Sequence, residues 1–370
     1  MSYPATAADP VNHRLLCVAE DAVQGFHRYP FRAISVQCYI TEDEVIARLL
    51  AMRAAGVVNR TRQTVLSTSL ANGALIAWQV PEEKLESAYA WLCANDPFTG
   101  HVVIRESNDP TAPGAGYRLW TTLKVPTGYG SVEEHNNLLQ RHIGATDWVA
   151  LPVVGMFALG VGHTRRAGLK PGDKLPTAPA MQCPAQPRLS EKEWTVLLSL
   201  KESLQPAEFV SCPWEARAAA LGMSCDEYCA IAEELDRRKV IGRFATFLNH
   251  QRGGADRNTG TGAAGLFHWA VPAGMEERAG AECGRHICMT HCYWRSGGEK
   301  FGGAQIMGVV HAPTREEVLA HKAAIDAHLA ACGIPLLHTA VFWSLRAEIR
   351  PSEISPLQYR NWLQIMNNHL

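Results

Sequence analysis

Two stretches of this chain carry a histidine and an arginine four residues apart: His101-Val102-Val103-Ile104-Arg105 and His291-Cys292-Tyr293-Trp294-Arg295. On an extended strand, residues two and four apart face the same way, so each stretch presents its histidine and arginine on one face. Histidine titrates near neutrality and can deliver a proton. Arginine stays charged and grips carboxylates through paired hydrogen bonds. Together they suit a reaction on a carboxylate-bearing molecule that needs a proton supplied. The second copy adds Tyr293 to this face, and Cys292 and Trp294 point the other way. More basic groups precede it: Arg243, and His250 and Arg252 in Asn249-His250-Gln251-Arg252. The first copy has Ser67 to Ser69 at that place, so only the second site is expected to be catalytic.

The two histidines stand 190 positions apart (291 − 101), and their surroundings repeat with them. Trp78-Gln79-Val80-Pro81 matches Trp269-Ala270-Val271-Pro272 at 191 (269 − 78). Thr41-Glu42-Asp43-Glu44, running to Arg60, matches Ser224-Cys225-Asp226-Glu227, running to Arg243, at 183 (224 − 41). Three blocks in one order at nearly constant offset mark an internal duplication.

Each copy begins with helices, the third entered through Thr41 with Glu44 or Ser224 with Glu227, both read as capping boxes. A β-hairpin is expected next, over 57–66 and 240–249, which completes a winged helix-turn-helix outline. The order strand, helix, strand, strand, helix, strand then follows, the ferredoxin-like βαββαβ motif. The expected fold class is α+β, a tandem duplication of these two parts. Boundaries fall at 1–70 and 71–167 for the first winged-helix-like and ferredoxin-like domains, and at 189–252 and 253–370 for the second, the last with a C-terminal extension. Between the copies, residues 168–188 form a linker with Pro171, Pro176, Pro179, Pro184 and Pro187, extended or draped over a surface. The two ferredoxin-like modules are expected to pair sheet to sheet within the chain.

Composition narrows the function classes. With 35 basic against 36 acidic residues the net charge is −1, so nothing global draws the chain to nucleic acid or an anionic membrane. No apolar run is long enough to span a bilayer, and Asp9 precedes any apolar stretch, unlike a secretory signal; a cytoplasmic location is expected. Eleven cysteines, an odd number, read as thiols in a reducing compartment.

The winged helix followed by a ferredoxin-like module resembles the leucine-responsive/asparagine-type (Lrp/AsnC) regulators. The residues Val240-Ile241-Gly242-Arg243-Phe244, Asn249-His250-Gln251-Arg252, Trp269 before Val271-Pro272, and His291-Cys292-Tyr293-x-Arg295 carry the resemblance further, to the siroheme decarboxylase family. In the first half, Gly56-Val57-Val58-x-Arg60, Val103-Ile104-Arg105-Glu106 and Tyr117-Arg118-Leu119-Trp120-Thr121-Thr122 do the same, as if two subunit types were fused. The resemblance implies a carbon–carbon lyase that removes CO₂ non-oxidatively from acetate arms of siroheme or a related iron tetrapyrrole, in heme or heme d1 biosynthesis. The iron tetrapyrrole is the substrate, and no organic cofactor is implied. His250 and His291 are the candidate catalytic residues. Arg243, Arg252, Tyr293, Arg295, His101 and Arg105 are the candidate substrate contacts, with the flat ring against Trp269 and Phe267 or Phe244. After Arg295 the family pattern gives way to Ser296-Gly297-Gly298-Glu299-Lys300-Phe301-Gly302-Gly303, which bears on pocket shape.

Competing readings come from the same residues. A tetrapyrrole-sensing regulator would need a basic recognition helix, yet both candidate helices open with acids, so no specific DNA affinity is expected. Cys283, Cys288 and Cys292 with His286 and His291 could hold a metal, but His291 points away from Cys288 and Cys292 on the strand and no Cys-x-x-Cys pair is present, so no metal is expected. Cys225 and Cys229 read as small apolar side chains. Assembly of several copies into a homo-oligomer is compatible with all of this.

Overall fold

The computed structural model describes residues 3–66, 70–160, 164, 168–183, 187–249, 262–350 and 352–368. His250 and Arg252 lie outside them. The chain divides into two compact units by kind of element, not by half: Met1–Leu66, Gly160–Ala167 and Pro187–Gly260 make one, and Ser67–Leu159, Gly168–Gln186 and Thr261–Leu370 make the other.

The first unit gathers the helices Pro10–Ala19, Pro30–Cys38 and Glu42–Ala54 of the first copy with Glu191–Lys201, Trp214–Ala220 and Cys225–Arg237 of the second. Thr41 and Ser224 cap the third helix of each set by accepting from the Glu44 and Glu227 amides. The reciprocal half of the expected capping boxes is replaced: the Glu44 carboxylate takes Arg48 Nε at 2.7 Å, and that of Glu227 pairs with Lys192.

Where each copy was expected to form a hairpin, it forms one strand. Strand β2 (Val58–Val65) pairs antiparallel with β7 (Ile241–Leu248), and β1 (Val23–Gln24) lies on the far side of β7. Neither run has a two-residue turn signal at its centre, so each stays extended and its duplicate supplies the partner. Phe244 of β7 is fully buried, edge-on to Phe31 at 5.5 Å and to Trp214 at 6.2 Å, which removes it as a platform for a flat ligand.

The second unit repeats a β-α-β-β-α-β order. The first set is β3 (Ala71–Gln79), helix Leu85–Asn95, β4 (Thr99–Ser107), β5 (Leu119–Pro126), helix Val132–Ile143 and β6 (Asp147–Leu159). The second is β8 (Ala263–Ala270), helix Glu276–Gly284, β9 (Met289–Arg295), β10 (Ile306–Ala312), helix Arg315–Ala331 and β11 (His338–Ile349). Two open sheets meeting face to face were expected. The strands instead close one barrel in the order β10-β8-β11-β4-β5-β3-β6-β9. The cause is strand length. At 13 and 12 residues, β6 and β11 are about twice the usual strand. β6 pairs with β3 as far as Pro152, then with β9 from Val153 to Leu159. β11 pairs with β8 as far as Trp343 and with β4 from Phe342 to Ile349.

Alternation along the strands sorts side chains into three apolar layers. Ile76, Trp78, Ile104 and Leu123 pack outward under the helices of the first set, and Phe267, Trp269, Cys292 and Val310 do so under those of the second. Leu75, Ala77, Val103, Trp120, Leu266 and Phe342 point between the sheets. Residues 173–182 of the linker lie along the barrel: Leu175 N–H donates to Arg285 O, and Gln182 pairs with Met156. No helix among the described residues is long and apolar enough to cross a membrane.

The C-terminal extension is a helix, Pro356–Asn368, that covers the first sheet's helical layer. It encloses a polar group: His135 Nε2 lies 3.4 Å from Asp96 Oδ2 and its Nδ1 3.2 Å from Tyr359 Oη, with Trp362 stacked on the imidazole at 4.6 Å. Burial pushes the Asp96 carboxyl up, but His135, Thr99 and the Phe98 amide outweigh it and hold the group below the usual carboxylate range. Removing one partner of a buried pair leaves the other uncompensated. Asp96→Ala should therefore cost about 3–5 kcal/mol, read as a lower urea midpoint by circular dichroism; a loss below about 1 kcal/mol would contradict this role.

Candidate functional site

The two His-x-x-x-Arg stretches occupy β4 and β9, the strands on which β11 and β6 close the barrel. In both, the histidine keeps accessible surface and the arginine four residues on is buried, Arg105 to 8% and Arg295 to 7% exposure. Arg105 Nη1 donates to Ser344 Oγ at 2.6 Å, and Arg295 Nη1 to the Leu151 carbonyl at 2.7 Å. Each link crosses a seam, so the strand sharing that closes the barrel also positions the cations. His291, Tyr293 and Arg295 do share a face: the first two rings stack 6.1 Å apart, and the guanidinium lies 4.5 Å over Tyr293.

Two further basic groups, which the sequence did not single out, join them. Lys124 of β5 lies over Gly73, whose missing side chain makes room for the ammonium; a Cβ there would stand 2.6 Å from Nζ. His268 of β8 is fully buried against Phe342 at 4.7 Å, Phe301 at 5.5 Å and Trp120 at 5.9 Å. Phe301 comes from the glycine-rich departure after Arg295. The left-handed turn at Gly302 (φ 67°) belongs to the loop that delivers it, and Gly114 yields the space its ring fills, since a Cβ there would come within 2.1 Å.

These cations lack compensating charge. Burial lowers the Arg105 guanidinium to about 10. Arg295 also falls to about 10, with Tyr293 pulling weakly the other way. Burial, then Arg295, brings Lys124 down to about 7. Burial, helped by Arg105, His338, Arg295 and Lys322, drives His268 to about 3, so its imidazole is neutral at physiological pH. Among the described residues no carboxylate offsets the burial of Arg105, Lys124 or Arg295. Nε of both arginines and both ring nitrogens of His268 have no hydrogen-bond partner there. A buried charge without a partner costs several kcal/mol.

The remaining candidates fall elsewhere. Trp269 and Phe267 are fully buried on the outer face, Trp269 donating Nε1–H to Asp326 at 2.7 Å beneath the helix Arg315–Ala331; this corrects their expected place against the ligand. Alternation explains it, since Leu266 and His268 take the inner face of β8. Arg243 belongs to the other unit, on β7, where it neighbours Arg60 and Arg62 on the three-stranded sheet. A depression in that unit is lined by Ser199, Glu202 and Arg217, and the Arg217 guanidinium there is already forked onto Glu208. Cys283, Cys288 and Cys292 are buried in the outer apolar layer. Among the described residues the sets with metal-ligand spacing are Cys212, Glu215 and Cys225, and Glu282, His328 and Cys332.

No family model matches the chain. It is 27% identical over 296 residues to the siroheme decarboxylase of Hydrogenobacter thermophilus, a match spanning 78% of this chain and 80% of that protein. It is 30% identical over 133 residues to the siroheme decarboxylase NirH subunit of Stutzerimonas stutzeri, spanning 36% of this chain and 74% of that subunit. The crystal structure of the siroheme decarboxylase NirDL superposes with a TM-score of 0.67 at 20% identity, over 96% of this chain and 99% of that one. The same enzyme has been solved with an iron-uroporphyrin III analogue, at a TM-score of 0.65 to this chain. Fold and site thus define a duplicated βαββαβ barrel with an internal cluster of basic side chains. The chain belongs to the siroheme decarboxylase family.

Lys124 gives the cluster a pH signature. With its proton lost as pH rises through about 7, the ammonium is charged below that value and neutral above it. Affinity for a carboxylate ligand should fall as pH rises from 6 toward 9 in the unmodified protein, followed by tetrapyrrole absorbance, and the fall should flatten in Lys124→Met. Because the charge is also a cost in the empty protein, Lys124→Met should stabilise it by about 1–4 kcal/mol at pH 6. An unchanged pH profile together with unchanged stability would overturn the assignment.

Proposed function

We propose that this chain removes CO₂ from acetate side chains of siroheme, and that the barrel cations hold the substrate's carboxylates. The observation that carries this is the set of buried Arg105 and Arg295 with half-buried Lys124, without an acid among the described residues. An eight-stranded barrel encloses only enough room for side chains or one small ligand, and here Trp120, Phe301 and Phe342 already fill much of it. Carboxylate arms therefore enter while the macrocycle stays outside. Within this reading each copy is a modified winged helix followed by a ferredoxin-like module joined to its twin.

The reaction breaks the bond between the carboxylate carbon and the methylene. CO₂ leaves, the electron pair passes into the macrocycle, and a proton added to the methylene yields a methyl group. The conjugated ring is the electron sink, which is why no organic cofactor is needed. A guanidinium cannot supply the proton, because even at about 10 it remains charged at working pH. His291, at the accessible end of the His-Tyr-Arg face, is the candidate donor, with His250 as the second. His268, held neutral among aromatics, is suited to tuning the interior instead. The acidic first turns of the helices Glu42–Ala54 and Cys225–Arg237 favour the enzyme over a DNA-binding regulator.

Anaerobic turnover with siroheme, followed by mass spectrometry of the tetrapyrrole, tests the assignment. His291→Ala should lower turnover by about 100-fold or more if it is the general acid, with substrate binding largely intact. Arg295→Leu should instead weaken binding. The roles fail if His291→Ala and His250→Ala both turn over at the unmodified rate, or if the change that abolishes activity is at His101.

A further inference from the structure

We propose that Cys212, Glu215 and Cys225, with Cys229 beside Cys225, form a site for a soft divalent cation such as zinc, present in the second helical module and not in the first. Cys225 Sγ lies 3.6 Å from Cys212 Sγ and 3.9 Å from Cys229 Sγ. A Glu215 carboxylate oxygen and the Cys212 and Cys225 sulfurs lie within 4.8 Å of one another. With zinc–sulfur bonds of about 2.3 Å in a tetrahedron, adjacent sulfurs stand about 3.8 Å apart. The Cys212–Cys225 separation matches that edge length, and Glu215 completes three donors, leaving the fourth position to solvent.

Local structure sets the donors. Cys212 precedes the helix Trp214–Ala220, which carries Glu215 in its first turn. Cys225 opens the helix capped by Ser224, and Cys229 lies one turn further on its same side. Cys212 and Cys229 are buried, Cys225 is half-buried and Glu215 is exposed, so an ion at their meeting point would be reachable from solvent.

The duplication supplies a comparison within the molecule. At the offset of 183 (224 − 41), the four positions correspond to Tyr29, Arg32, Glu42 and Ile46. There the module uses a cation of its own: Arg32 Nε stands 3.3 Å from Glu42 Oε2, with its guanidinium 4.9 Å over the Tyr29 ring. In the second module a carboxylate has replaced the arginine, a thiol the glutamate, and two more thiols the tyrosine and isoleucine. Three ligand atoms meet there, and no arginine stands in the place of Arg32. Arg28, which comes near, is held by Asp226 at 2.7 Å. A bound divalent ion would do for this module what Arg32 does for the other, tying the starts of two helices together.

The test uses the full-length reduced protein, freed of metal by chelation, with Co(II) and then Zn(II) as probes. One equivalent of Co(II) should give sulfur-to-cobalt charge-transfer absorption and tetrahedral d–d bands, bleached by one equivalent of Zn(II). Cys225→Ser should weaken Co(II) binding by more than about tenfold, while Cys183→Ser, at an exposed cysteine, should not. Because a cysteine variant could misfold, alkylation of the unmodified protein is mapped in parallel. Zn(II) should protect Cys212 and Cys225. Absence of thiolate–cobalt bands, protection at Cys332 instead, or a Cys212–Cys225 disulfide in protein purified with reductant would each overturn the proposal.

Discussion

The barrel depends on two strands that each serve two neighbours. β6 spends its first part in its own sheet and its second on β9, and β11 does the same with β8 and β4. Strand length makes this sharing available, and duplication makes it symmetrical, because each copy offers the edge that the other needs. Closing both seams leaves no exposed edge, the usual hazard of an open sheet. It also brings the His-x-x-x-Arg strands of the two copies to equivalent places, where Arg105 meets Ser344 and Arg295 meets the Leu151 carbonyl.

The electrostatic character of the interior follows from that closure. A lysine on β5 or an arginine on β9 facing solvent from an open sheet would be hydrated and unremarked. Inside a barrel the same groups lose water and, among the described residues, gain no acid. Lys124 comes down to about 7 and each arginine to about 10. Neighbouring aromatics deepen the effect: Trp120, Phe301 and Phe342 surround His268 and keep it neutral. Stability is thereby given up in the empty protein, and an anionic ligand can return it on binding.

Much of this was legible in the sequence, for identifiable reasons. The repeat offsets located both His-x-x-x-Arg strands, and period-two alternation correctly separated His291, Tyr293 and Arg295 from Cys292 and Trp294. The helix Val132–Ile143 has the bounds its sequence carries, a Ser131 cap at its start and Gly144 in the left-handed conformation at its end. The misses share one cause, that pairing between distant segments leaves no local mark. Residues 57–66 and 240–249 read as hairpins because their partner strands lie nearly two hundred residues away by the repeat offset. Trp269 read as a ligand platform because its face depends on which side of β8 the helix Arg315–Ala331 covers. Lys124 and His268 carried one faint signal, a lone basic residue on the inward parity of an apolar strand. The sharing of β6 and β11 between two neighbours is seen only in the register of their pairing.

The central claim is that carboxylates complete the cation cluster of the barrel. It is tested most directly by titrating the unmodified protein anaerobically, through the tetrapyrrole absorption band, with siroheme and with an iron tetrapyrrole that bears only alkyl side chains. The account predicts binding of siroheme that weakens with added salt, and at least about 100-fold weaker binding of the alkyl compound. Equal affinity for the two, insensitive to salt, would contradict it.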